Sequence, residues 1–133
     1  MQVFIYRNLT KKCWSIRAQS GSQRGKVIYH ALSWTLRDAK FNVSQAGRNR
    51  VLEERRKNVH AGVSGELLSW KGLTGICEDG NIWTPFIEGL QVDGITYNPY
   101  KWNTFVTTST FSPVLYAKLV KADGSQVFAH RIS

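Results

Sequence analysis

Residues 44–58 read SQAGRNRVLEERRKN, and the folding of this stretch decides the class of the whole chain. Ser44 suits an N-cap, because its hydroxyl can accept from an orphan amide in a first helical turn. From Gln45 to Asn58 the residue types suit a helix, Gly47 excepted. At about 100° per residue, Val51 and Leu52 define an apolar stripe. Arg48 and Arg55 fall in the middle of that stripe, while Arg50 and Lys57 lie opposite with Glu53. An arginine so placed has two open fates. It lays its stem on the core and keeps its head in water, or its planar fork holds a half-buried carboxylate or phosphate. The stretch predicts one main basic helix.

Outward from this stretch the pattern is that of strands. VFIY (3–6) is β-rich, and CWSIRA (13–18) alternates after a turn at Asn8-Leu9-Thr10. SGSQRG (20–25) is a loop by composition. KVIYHAL (26–32) and TLRDAKFNV (35–43) follow as third and fourth strand candidates. VHAGVSGELL (59–68) reads as a strand in which Gly62 and Gly65 mark bends or close backbone approach. Residues 67–91 form a Gly- and Trp-rich elaboration, with a hairpin across Glu78-Asp79-Gly80-Asn81. ITY, a turn at Asn98-Pro99 and a strand over 104–107 come next. The chain closes on a hairpin around Asp123-Gly124. The reading is a single α+β domain over 1–133: a mostly antiparallel sheet, from a meander over 1–43 to the closing hairpin, with one main helix packed against it.

Composition narrows the function classes. At 133 residues the chain fits one domain, and 42% hydrophobic content with five tryptophans excludes a disordered chain. No run approaches the ~20 apolar residues of a spanning helix. The opening MQVFIYRNLTKKCW turns polar too soon for a signal peptide, so a cytosolic protein is expected. Cys13 and Cys77 lie far apart without a zinc spacing and read as small hydrophobes. Charge is lopsided: residues 1–60 hold thirteen Lys/Arg against three Asp/Glu, whereas 61–133 hold five against six. Such a field draws anionic partners without choosing among nucleotide, nucleic acid, membrane or acidic protein.

No serine sits in a nucleophile motif, and His30, His60 and His130 lack the spacing of a triad. There is no glycine-rich phosphate loop of recognised form and no metal-ligand cluster, so neither catalysis nor a cofactor is expected. The stronger theme is TYNPYKWNTF (96–105), where Tyr97, Tyr100, Trp102 and Phe105 surround Asn98 and Lys101. Rings held by a proline-stiffened turn can stack on a base, and an amide can read an adenine edge. Core packing is the other ordinary use of strand aromatics.

The blocks VFIYRNL–KKCWSIR, GKVIYHA, FNVSQAGRNRVLEERRKNVHAGVSG and TYNPYKWNTFV resemble those of small proteins encoded by bacteriophages and prophages. The chain also resembles the phage anti-Thoeris proteins, small β-rich oligomers that sequester cyclic ADP-ribose immune signals without cleaving them. That resemblance implies a non-catalytic sponge in the cytoplasm of the infected host, assembled as a dimer or higher homo-oligomer. On that resemblance Arg48, Arg55 and Arg56 would meet the phosphates of a small anionic nucleotide and Asn98 and Phe105 its base, to which the aromatic turn adds Tyr97 and Tyr100. A basic nucleic-acid-binding accessory protein is the alternative. A direct inhibitor of a host defence protein, anchored by Trp70, Trp83 and Phe86, is a third.

Overall fold

The first strand already shows the logic of the molecule. In β1 (Gln2–Asn8), Val3 and Ile5 are fully buried on one face. β2 (Cys13–Ala18) pairs with it antiparallel, setting Ile5 opposite Ile16 and Val3 opposite Ala18. A computed structural model describes residues 1–8, 10–44, 49, 53, 61–72, 76–77, 92–98 and 101–133. The remaining strands are β3 (Val27–Val43), β4 (Ala61–Gly72), β5 (Ile76–Cys77), β6 (Asp93–Tyr97), β7 (Phe105–Thr107), β8 (Pro113–Val114), β9 (Tyr116–Asp123) and β10 (Gln126–Ile132).

These strands form one antiparallel sheet that closes on itself at one end. β1 pairs with β2, β2 with β3, β3 with β4, and β4 back with β1. A single outward-facing row runs His30–Ser15–Tyr6–Gly62–Asn42, so it starts and ends on β3. Closure of this kind needs a steep stagger. β3 supplies it by bending at register shifts between Ala31 and Ser33, Thr35 and Leu36, and Arg37 and Lys40. At the last of these Asp38 adopts a φ of 51°, in the left-handed region. Two glycines let the backbones meet. A Cβ on Gly62 would collide with the Phe4 ring and the Ile5 carbonyl, and one on Gly65 would lie 2.9 Å from the Arg37 carbonyl oxygen.

Beyond the ring, β9, β10, β6, β7 and β8 continue the sheet from β3 as an arm. β2 and β9 share β3, pairing with Val27–Ala31 and Ser33–Lys40 respectively. Gly124 seals the junction between them. Its carbonyl accepts from Trp14 Nε1 at 2.6 Å and from an Arg7 guanidinium nitrogen at 3.3 Å, while its amide donates to Leu32 O. Trp34 is the centre of the core, fully buried and edge-on to Trp14 at 5.4 Å. Val3, Ile5, Ile16, Leu36 and Val120 pack in the same cluster. Each large side chain so buried contributes about 1.5–3 kcal/mol.

The architecture is therefore all-β, which corrects the α+β expectation. Among the described residues only Asn49 and Glu53 have helical backbone, and both are exposed. The rest of the expected helix over 45–58 lies outside the described residues. The buried apolar residues of ring and arm pack in one cluster supplied by strands, with no described helix in it. The third and fourth strands of the sequence reading are one seventeen-residue strand, β3. The hairpin across Glu78–Asn81, with Trp83 and Phe86, also lies outside the described residues.

Candidate functional site

The aromatic half of the anticipated site is described, and it is packed. Tyr97 on β6 and Phe105 on β7 are cross-strand partners with ring centroids 5.2 Å apart. Phe105 also lies 5.1 Å from Phe41, which is nearly buried. Asn98 shapes the connecting turn: its Oδ1 accepts from the Lys101 amide at 3.3 Å and its carbonyl from the Trp102 amide at 2.8 Å. This is the Asx-type use of an asparagine, and it commits the side-chain oxygen to the backbone. Trp102 packs toward Phe111 at 5.9 Å. Arg48, Arg55, Arg56 and Tyr100 lie outside the described residues.

The roots of the basic segment are described, however. Val43 and Ala61 are cross-strand partners, so residues 44–60 leave and rejoin the ring at one place. Phe41 stands two residues before that place on the same strand. The contact from Phe41 to Phe105 therefore carries the Tyr97–Phe105 pair to the foot of the most basic stretch of the chain.

The same end of the ring holds a polar group that sequence reading left unassembled. Ser15 is fully buried on the outward face and accepts from Asn8 Nδ2 at 3.2 Å. His30 Nδ1 lies 3.5 Å from Ser15 Oγ and 3.9 Å from Cys13 Sγ, and Lys11 Nζ is 3.4 Å from His30 Nε2. These contacts join the β1–β2 turn to β3. Cys13 is buried and free. Among the described residues no three His, Cys, Asp or Glu side chains converge as metal ligands.

The charges divide into paired and unpaired. Arg37 binds Glu66 through two nitrogens, at 2.7 and 3.1 Å. Asp38 accepts from Lys118 Nζ at 3.0 Å and Tyr116 OH at 2.8 Å. The Lys118 hydrogen bond, then that of Tyr116, holds the Asp38 carboxyl below its ordinary range, and the carboxylate in turn raises the Tyr116 phenol. Arg17 lies over the Phe4 ring at 5.0 Å and Arg7 over Trp14 at 5.3 Å. Lys11, Lys12, Arg17 and Lys40 meet no carboxylate among the described residues.

No described helix is long and apolar enough to cross a membrane. No solved structure matches the chain. A family profile described as "Mycobacterium phage L5 gene 82 protein" matches residues 1–130. The chain is also similar to the "Gene 82 protein" of Mycobacterium phage L5, at 36% identity over 135 residues that cover 97% of this chain and 95% of the relative. With the blocks at 3–9, 25–31 and 41–65 all inside the matched span, the chain belongs to the phage L5 gene 82 protein family.

Proposed function

We propose that the protein is a non-catalytic binder of a small phosphorylated nucleotide, which it holds at the foot of residues 44–60. The observation that supports this reading is the Tyr97–Phe105–Phe41 cluster standing beside Val43 and Ala61. Arginines of the segment, Arg48 and Arg55 first, would take the phosphates, because charge-assisted bidentate bonds are strongest where water is excluded. The Tyr97 edge and the Asn98 turn would bound the base. In a phage protein such a binder would withdraw a nucleotide-derived immune signal, of the cyclic ADP-ribose type, from the host's defence.

Thermal stability measured with cyclic nucleotides, ADP-ribose isomers, single strands and duplexes, at two salt concentrations, tests the reading. A small nucleotide at about 100 times its dissociation constant stabilises the fold by about 2.7 kcal/mol through mass action. Arg48→Ala with Arg55→Ala should abolish that gain. A second reading is favoured by Lys11, Lys12, Arg17 and Lys40, whose lack of a described acidic partner suits a nucleic-acid backbone. Binding to duplex DNA that falls steeply with salt, with no response to any small nucleotide, would establish it in place of the first.

A further inference from the structure

The loop at 19–26, SGSQRGK after Gln19, lies at the other end of β1 and β2 from the basic segment. Sequence reading gave it no role. Its shape comes from Gly21 and Gly25, with φ of 77° and 84°, and from four backbone bonds: Gly25 N to Ala18 O, Lys26 N to Gln23 O, Arg24 N to Gly21 O, and Ala18 N to Lys26 O. Beside it lies a cavity of ≈ 540 Å³. That volume falls within the roughly 300–1,000 Å³ usual for small-molecule sites.

The lining has two chemistries. Val27, Ile28 and Tyr29 form an apolar floor, and Ser20, Ser22 and Gln23 a polar rim. Tyr29 is held in place by stacking on Trp70 at 4.3 Å and 21°. On the rim, the backbone amides of Ser20, Gly21, Ser22 and Gln23 donate to no acceptor among the described residues. Successive turn amides left free to donate are groups that an anion can bind. Arg24 and Lys26 are exposed in the same loop, and no carboxylate lines the cavity among the described residues.

We infer that this cavity is a second binding site, for a small phosphorylated molecule with a planar or apolar moiety. The phosphate lies on the rim amides under the positive potential of Arg24 and Lys26. The moiety lies on Val27, Ile28 and the fixed face of Tyr29. This site does not use the arginines of residues 44–60, so it stands or falls apart from the function proposed above.

Adenosine monophosphate and inorganic phosphate, titrated separately into the ¹⁵N-labelled full chain, test it. The nucleotide should give saturable amide shifts at Ser20–Gln23, with weaker ones along Val27–Tyr29, and phosphate the rim shifts alone. Ser22 is exposed, and its hydroxyl bonds to none of the described residues, so Ser22→Glu leaves the fold intact while adding a carboxylate to the rim. It should weaken the nucleotide by about tenfold, and Lys26→Ala by about threefold, as expected when charge complementarity to a phosphate is lost. Arg48→Ala with Arg55→Ala should leave this titration unchanged. Absence of saturable shifts at the four rim amides would overturn the inference. So would affinity that survives Ser22→Glu and is lost with the two arginines.

Discussion

The ring and the outer arm use the same alternating strands and are held very differently. In the ring, β1, β2, β3 and β4 each have a neighbour on both edges, and burial reaches the outward face, where Cys13, Ser15 and Phe4 are covered. In the outer arm, β6, β7 and β8 shrink to five, three and two residues, and β8 pairs only with β7 among the described residues. Among the described residues, Phe105 on β7 makes an aromatic contact with the ring, on Phe41. The tip is ordered by hydroxyls: Thr107 Oγ1 lies 2.7 Å from Thr110 Oγ1 and accepts from the Ser112 amide at 3.1 Å. Those bonds hold Phe111 at a φ of 55° with its side chain largely in water. Order in the ring is spread over many pairings; in the outer arm it hangs on a few. Regions of few buried contacts open at lower free energy, which suits them to respond to a ligand.

The largest expected effect removes that difference by striking what both regions share. Trp34 pairs with Trp70 on β4 and with Ala122 on β9, so it belongs to ring and arm alike. Trp34→Ala should cost about 3–5 kcal/mol. Urea unfolding followed by circular dichroism should show one transition at a lower midpoint. Two separated transitions would mean that ring and arm fold as independent units.

Two smaller substitutions should separate the regions. Phe105→Ala removes a half-buried ring and should cost about 3 kcal/mol, the low end of the range for aromatic truncation. Hydrogen exchange should lose protection at β6 and β7 and keep it at β1 and β2. Gly62→Val does the reverse, since its Cβ meets Phe4 and the Ile5 carbonyl. Overpacking of this kind costs about 1–3 kcal/mol and should register first in β1 and β4. Equal loss of protection throughout in both variants would erase the distinction between the regions.

That contrast also explains what could be read from the sequence. Local alternation reveals β1, β2 and the β9–β10 hairpin, because two-residue periodicity and an Asp-Gly turn are short-range signals. It hides the length of β3, because the register shift between Ala31 and Ser33 interrupts the alternation where the two strand candidates meet. The closing pair β4–β1 is a long-range event with no local mark apart from Gly62 and Gly65. The helix expected over 44–58 rests on a cap, residue propensity and a short apolar stripe, all local signals, and none of them shows that the described core is built from strands alone. At the site, the Tyr97–Phe105 pair follows from a short turn between two strands. Its docking on Phe41 depends on how β3 curves, which no local pattern encodes. The Ser20–Gln23 amides carry no side-chain signature at all.

The smallest expected effect lies where ring meets arm, at Asp38. Its carboxyl is lowered first by the Lys118 hydrogen bond and then by that of Tyr116. A carboxyl lowered in the folded state adds stability that is present above its unfolded value, about 4, and lost as pH falls through its folded value. Asparagine tolerates the same left-handed backbone, so Asp38→Asn removes the charge with little strain. The variant should be slightly less stable than the parent at pH 7, and the gap should close as pH falls through the lowered folded value of the Asp38 carboxyl. Added salt should narrow it as well, because the pair is exposed. In the same variant the Tyr116 phenol, raised chiefly by its bond to Asp38, should titrate closer to an ordinary tyrosine, readable by phenolate absorbance. A stability gap that does not narrow as pH falls from 7 into the acid range would mean that the shape of the bulge, and not its charge, ties β3 to β9 at this point.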